Sequence, residues 1–382
     1  WIDRLEQWPE GVHLHDWHAA FYLLLRQYAP HYGALRDITT VFTIHNPSYQ
    51  GARPLRGDES ALEAWFPGLE YLPEEIADPA HPDCINPMAM AIRLSDRIST
   101  VSPTNAEEIC RPSDPAHGFV GGEGLEQLLV AARVEHRLVG ILNGCYYNGP
   151  KGRRPGWQRI LNLVAEQLAA WPESEAHRIA AETLAGLPKR RPKFVLTSIG
   201  RLVRQKASLF FEQVGPGLSA IDQVLEQLGQ QGVLILIGIG EPEFEAKMLE
   251  AARRHRNLLF LCGYSETLAK PLYRAGDLFL MPSSFEPCGI SQMLAMRATQ
   301  PCVVHGVGGL RDTVDDGHSG FVFDGDTPLQ QARNFVATVD RALTLKAEDN
   351  DAWQKICIRA ASVRFSWDRS ARATVEQLYG IA

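Results

Sequence analysis

The segment Thr197-Ser198-Ile199-Gly200-Arg201-Leu202-Val203-Arg204-Gln205-Lys206 leaves an apolar run and enters a helical pattern, which sets Arg201 and Lys206 at a strand-to-helix turn. Main-chain N–H groups at such a turn already favour anions. An Arg adds a planar fork for phosphate oxygens and a Lys a point charge, so the two read as a diphosphate clamp. Two solvated cations at a helix start fit the same segment equally well when it is taken alone. Further on, PSSFEPCGISQ (Pro282–Gln292) follows an apolar run and opens a helix. Glu286 there is placed to hold ligand hydroxyls, and the amides of Gly289, Ile290 and Ser291 to face a phosphate. The plain alternative is a Glu that caps its own helix. In HGVGGL (His305–Leu310), Gly308 allows close main-chain approach to a ligand, although a glycine pair is more often only a turn.

In the first half, HLHDWH (His13–His18) ends one apolar run and TIHN (Thr43–Asn46) ends the next. Three His and an Asp invite a metal reading. No further carboxylate or Cys stands at ligand spacing, so no metal is expected. Asp16 and His45 are better placed as hydrogen-bonding groups at strand ends, while His13 and His15 read as core histidines held by main-chain carbonyls. Asn143 lies in a polar Asn-Gly turn after Leu138–Leu142. Tyr264, in CGYSE (Cys262–Glu266), is placed either to stack on a purine or to pack at a helix entry.

These residues need elements to hold them. Expected strands are Gly11–Leu14, Thr39–His45, Arg97–Val101 and Leu138–Leu142, then Phe194–Ile199, Val233–Ile237, Leu258–Leu261, Leu278–Met281 and Cys302–Val304. Amphipathic stretches alternate with them, which is the βαβ signature of parallel sheets. At 382 residues, two domains are expected. They are bounded at LPKRRP (Leu187–Pro192), giving 1–186 and 187–363, with 364–382 a helix crossing back to the first. PKGRRPG (Pro150–Gly156) is expected to be a surface loop. The 45% apolar and 22% charged shares are ordinary for a globular protein, and a net charge of −7 argues against a broad nucleic-acid surface. Seven scattered Cys without a C-x-x-C pair fit reduced thiols in a cytoplasm. No apolar run approaches the ~18 residues of a membrane span.

Read in order, HDWHA (His15–Ala19), TIHN…YQG (Thr43–Gly51), DRISTVSPT (Asp96–Thr104), GILNG (Gly140–Gly144), GRLVRQK (Gly200–Lys206), CGYSE, FEPCG (Phe285–Gly289) and GGLRDTV (Gly308–Val314) resemble the bacterial glycogen and plant starch synthases. The resemblance covers nearly the whole chain. It implies an α/β fold of two Rossmann-like domains facing a central cleft (GT-B), the first without its leading strand and Lys-x-Gly-Gly-Leu loop. It also implies retaining transfer of glucose from ADP-glucose to the non-reducing end of an α-1,4-glucan, with neither metal nor cofactor. By matching motifs, Arg201 and Lys206 would neutralise the leaving diphosphate, and Glu286 and His45 would hold glucose hydroxyls with Asn143 nearby. Tyr264 would face the adenine, Gly289 and Ser291 the distal phosphates, and Asp16 the donor and acceptor. Departures are Tyr146 for the usual Asp, Ala207 for Gly, Asn105 for Tyr, Val307 for Thr and Ala298-Thr299 for Tyr-Gly. Competing readings are an inactive remnant that still binds nucleotide, and another nucleotide-sugar glucosyltransferase of the same architecture.

Overall fold

A computed structural model describes residues 9–147 and 153–380. Three of the residues assigned to the Pro150–Gly156 loop (Pro150, Lys151, Gly152) lie outside them. The described chain forms two compact units, one of residues up to 115 with 119–144 and 367 onward, the other of 116–118 and 145–366.

In the first unit four strands, β1 (Gly11–His15), β2 (Thr39–Ile44), β3 (Arg97–Thr100) and β4 (Leu138–Gly140), lie side by side in that order, all parallel. Parallel strands need crossover segments, and the helices supply them with apolar faces turned to the sheet. Helix Pro87–Leu94 shows how sequence makes one. Asn86 caps it by accepting the Ala89 amide, Pro87 occupies the first turn, and Met88 to Ile92 are all buried. Its core joins Leu23, Leu24, Phe42, Ile44 and Ile98. Between β1 and β2 the chain forms two short helices, Asp16–Ala19 and Phe21–Tyr28.

One face of this sheet carries a polar thread through otherwise apolar packing. His13 on β1 bonds Thr43 Oγ1 on β2 at 2.6 Å through Nε2, and Thr43 bonds Ser99 Oγ on β3 at 2.7 Å. The other His13 nitrogen meets the Tyr379 hydroxyl at 2.9 Å. Burial first, and then the neighbouring His15 and His45, lower the His13 imidazole to about 4.

The second unit is a six-stranded parallel sheet. Its strands are β5 (Phe194–Ile199), β6 (Gly232–Gly238), β7 (Leu258–Cys262), β8 (Leu278–Met281), β9 (Cys302–His305) and β10 (Phe321–Phe323). Their spatial order is β7-β6-β5-β8-β9-β10. The chain builds outward from β5 to β7, then returns to lay β8 on the other flank of β5. β6 is buried at every position, as a strand covered by helices on both faces should be. The helix Ala220–Leu228, for which the sequence reading had no element, carries a reciprocal capping box between Ser219 and Asp222 and buries Ile221, Val224, Leu225 and Leu228.

The division between units lies earlier than the expected 186/187. Trp157, Ile160, Leu161, Val164 and Ala180 share one apolar cluster with Val195, Val233 and Ile235, so helices Trp157–Ala170 and Glu175–Gly186 cover the second sheet. The LPKRRP segment joins elements of that one unit and is no boundary. Residues from 367 onward group with the first unit. No described helix is long and apolar enough to cross a membrane.

At the amino end of β8, buried Asp277 accepts from Arg154 at 2.6 Å, Arg191 at 2.8 Å and the Val195 amide at 2.8 Å, with Lys346 at 3.4 Å. Burial alone would raise its carboxyl, but these charges hold it below the ordinary carboxylate range. Asp277→Ala is therefore expected to destabilise the chain by about 2–4 kcal/mol, since it strands partly buried cations. Because the folded carboxyl is depressed, its contribution is present above the unfolded value and fades as pH falls through the folded one. The melting-temperature gap between wild type and variant should shrink in acid.

His13 acts on a different window. Its folded value lies below the unfolded one, so the unfolded chain takes up the proton first as pH falls. Its contribution is present above the ordinary imidazole value and is lost between there and about 4. His13→Gln should show a shallower fall of melting temperature across that window, and an unchanged slope would contradict the assignment.

Candidate functional site

β5 and β8 are neighbours that lead to opposite flanks of the sheet, so the crevice outside their carboxyl ends is the topological switch point of the second unit. A recess there is lined by Ser198, Gly200, Arg201, Lys206, Met281, Pro282 and Ser283. Lys206 lies in the first turn of helix Arg204–Phe211, which follows β5, and Glu286 lies in the loop after β8. Their side chains form an ion pair, Lys206 Nζ donating to Glu286 Oε2 at 2.8 Å. The Glu286 side chain is 8% exposed and that of Lys206 27%. A carboxylate so buried is tolerable only with a partner. Ser283 Oγ adds a longer contact at 3.4 Å. Arg201 is exposed.

The main chain holds this geometry. Ser284 N and Phe285 N both donate to the Gln205 carbonyl, at 2.9 and 3.3 Å, which ties the Glu286 loop to the Lys206 turn. Gly309 N donates to the Glu286 carbonyl at 3.1 Å. Gly308 has φ +43°, and a Cβ there would lie 2.1 Å from that carbonyl. The glycine is thus required by the loop that carries Glu286, whatever a ligand adds. His305 is buried, stacks on Phe323 at 5.0 Å and donates from Nδ1 to the Ser283 carbonyl at 3.0 Å. Burial lowers its imidazole below the ordinary range and favours the neutral form.

Gly289 takes φ +73°, and Ile290 precedes the helix Ser291–Arg297. Ser291 is tied to the same strand ends, accepting from the Tyr273 hydroxyl at 3.1 Å and donating weakly to the Ile199 carbonyl at 3.5 Å. Tyr264 lies after β7, two strands from the switch point, and is 77% exposed. Arg201, Lys206, Glu286, Gly289, Ile290, Ser291 and Gly308 thus stand at the carboxyl ends of β5, β8 and β9.

In the first unit, the carboxyl ends of β1 and β2 bring Asp16 and His45 together. Asp16 Oδ1 accepts the His45 amide at 2.8 Å. Asp16 itself has φ 56°, the left-handed region, at a cost of about 1 kcal/mol. His15 Nδ1 meets His45 Nε2 at 3.0 Å and His15 stacks on His13 at 4.5 Å. Neither His13 nor His15 is the carbonyl-held core histidine expected: their partners are side chains. Asn143 follows β4, near the Leu142 carbonyl that accepts from Ser370 at 2.6 Å. Among the described residues no group of three or more His, Cys, Asp or Glu could hold a metal ion.

Sequence reasoning had no role for Gln205, Ser283, His305, Thr43 or Ser99. Gln205 acts through a carbonyl, which no side-chain motif reports. His305 at a strand end was a legible polar signal, passed over for the glycines beside it.

Comparison with known proteins closes the matter of lineage. Residues 1–131 match the family model described as the starch synthase catalytic domain, and residues 193–343 that described as glycosyl transferases group 1. The glycogen synthase of Streptococcus sanguinis (strain SK36) is 35% identical over 390 residues, covering 97% of this chain and 73% of that protein. The glycogen synthase of Anaeromyxobacter sp. (strain Fw109-5) is 36% identical over 384 residues, covering 97% and 72%. Among solved structures, the catalytic domain of starch synthase IV from Arabidopsis thaliana, bound to ADP and acarbose, superposes with a TM-score of 0.75 at 27% identity, covering 97% of this chain and 72% of that one. Anabaena HepE in complex with UDP-glucose shares the fold at TM-score 0.55 and 17% identity, with 97% and 79% covered. The architecture is that of the GT-B glycosyltransferases, and the chain belongs to the glycogen and starch synthase family.

Proposed function

We propose that this glycosyltransferase moves glucose from ADP-glucose to the non-reducing end of an α-1,4-glucan, with retention at the anomeric carbon. The observation that carries the reading is the Lys206–Glu286 pair at the switch point, 2.8 Å apart, in a chain of this family. The ADP bound by the Arabidopsis starch synthase supports the nucleotide.

The residue types suit that reaction. As the bond from the anomeric carbon to the β-phosphate oxygen breaks, negative charge grows on the diphosphate and positive charge on the sugar ring. Lys206 and Arg201 stabilise the first by charge, and the main-chain amides at Gly289, Ile290 and Ser291 add fixed dipoles. Glu286 accepts from glucose hydroxyls, and incoming phosphate oxygens compete with it for Lys206. The acceptor's 4-hydroxyl oxygen bonds the anomeric carbon on the face the diphosphate leaves, and its proton passes to that leaving group. No enzyme nucleophile is then needed, unlike in retaining hydrolases. His45, Asp16 and Asn143 hold sugar hydroxyls, Tyr264 faces the adenine, and Gly308 keeps the Glu286 loop in place.

The test is incorporation of labelled glucose into glycogen, with ADP-glucose and UDP-glucose compared side by side. ADP-glucose should be the better donor, and UDP-glucose with an equal or higher kcat/KM would overturn that choice. Lys206→Ala should lower kcat about 10²–10³-fold with little change in KM for glucan, because it acts on charge that develops in the transition state. Glu286→Gln, nearly isosteric, should lower kcat comparably while the melting temperature stays close to wild type. A wild-type rate in either variant removes that residue from the site.

A further inference from the structure

Tyr264 projects from a three-residue loop that is braced from beneath by the segment leaving helix Trp157–Ala170. Gly263 sits on the indole of Trp171: a Cβ there would lie 2.7 Å from the ring. Trp171 stacks in turn on the His177 imidazole, with centroids 5.0 Å apart and planes 24° from parallel. That imidazole lies between two carbonyl oxygens, donating to one of them when neutral and to both when protonated. Nδ1 lies 2.7 Å from the Pro172 carbonyl and Nε2 lies 2.8 Å from the Cys262 carbonyl, which is the last residue of β7. On the far side of the loop, Ser265 donates to Gln167 Oε1 at 2.5 Å while accepting the Leu268 amide as cap of helix Glu266–Ala275.

Residues 262, 263 and 265 are thus each fixed to the 167–177 segment, and the residue between them is the one left 77% exposed. This pattern differs from ordinary packing. An exposed aromatic ring on an unsupported loop would lose much of its stacking energy to ordering the loop. Here the backbone beneath it is ordered in advance.

We propose that Trp171, His177 and Gln167 are positioning residues that preorganise Tyr264 as the stacking platform for the nucleobase of the sugar donor. The proposal rests on the reading of Tyr264 given above and extends it. Residues that touch no ligand act on nucleotide affinity through Tyr264 alone. Their effect therefore falls on donor binding and leaves the chemical step intact.

Isothermal titration of ADP and steady-state kinetics with ADP-glucose test this on the full chain. Tyr264→Ala should raise the ADP Kd and the donor KM about tenfold, the usual worth of one stacked base. Trp171→Ala and His177→Ala should each raise both by a smaller factor, with kcat within twofold of wild type and melting temperature recorded for each. Trp171→Phe keeps a ring beneath Gly263 and should recover most of the loss. The decisive measurement is Trp171→Ala combined with Tyr264→Ala, which should bind ADP no more weakly than Tyr264→Ala alone. An additive double variant, or a Trp171→Ala whose ADP affinity is wild type beside a weakened Tyr264→Ala, overturns the brace and leaves the Tyr264 reading standing. A Tyr264→Ala variant with wild-type affinity overturns both.

Discussion

Two main-chain amides, those of Ser284 and Phe285, converge on the carbonyl of Gln205, and this convergence sets Lys206 within 2.8 Å of Glu286. Much of the second unit is arranged so that it can occur. β5 and β8 must be neighbours for their outgoing loops to meet, which the return of the chain past β5 ensures. The Glu286 loop must also be backed, and Gly308 and Gly309 come against its main chain where any side chain would collide. His305 fixes the start of the loop through the carbonyl of its second residue, Ser283. A buried carboxylate needs such enclosure. The desolvation that makes an unpaired Glu286 costly also makes its bond to a cation strong, and a low-dielectric pocket transmits that charge to whatever binds.

A comparable economy appears in the first unit at a smaller scale. Asp16 adopts a left-handed backbone conformation, and its carboxylate then accepts the amide of His45. The local strain is offset by that bond, and the result is a His whose main chain is fixed at the end of β2. Beneath it the His13, Thr43 and Ser99 side chains link three adjacent strands through hydroxyl and imidazole groups. Such a thread fixes strand register as firmly as apolar packing does, because each member finds a partner only in one alignment.

Strand-end motifs were legible because the chemistry they need is written in side chains. GRLVRQK, FEPCG and TIHN each place a charged or polar group directly after a buried run, and the structure puts Phe194–Ile199 and Leu278–Met281 where the apolar pattern puts them. What escaped reading was carried by the main chain or by distant packing. The helix Ala220–Leu228 had both its capping box and its apolar spacing in plain view, yet it follows Gly215–Gly217, whose turn signals dominate the window. β10 has only three residues, too few to show an alternation. The boundary was misplaced because LPKRRP is locally a breaker. Only the apolar contacts of Trp157 and Ile160, remote in sequence from their partners Val195 and Val233, reveal which sheet those helices cover.

Thr299 illustrates how far the backbone constrains the sequence even where the residue departs from the pattern. Set against a glycine by the motif resemblance, it takes the left-handed conformation, at φ 66°. A β-branched residue there is strained, by about 1–2 kcal/mol. The conformation persists because both flanks are tied: Thr299 N donates to the Met296 carbonyl at 2.9 Å and Gln300 N to that of Ala295 at 3.0 Å, closing helix Ser291–Arg297 before β9. Gln300 is also bonded across the sheet to Thr197 on β5, at 2.6 Å. The turn is therefore held by the same strand that leads to Lys206. Relaxing Thr299 would shift Gln300, and the bond from Gln300 to Thr197 in the middle of β5 opposes that shift.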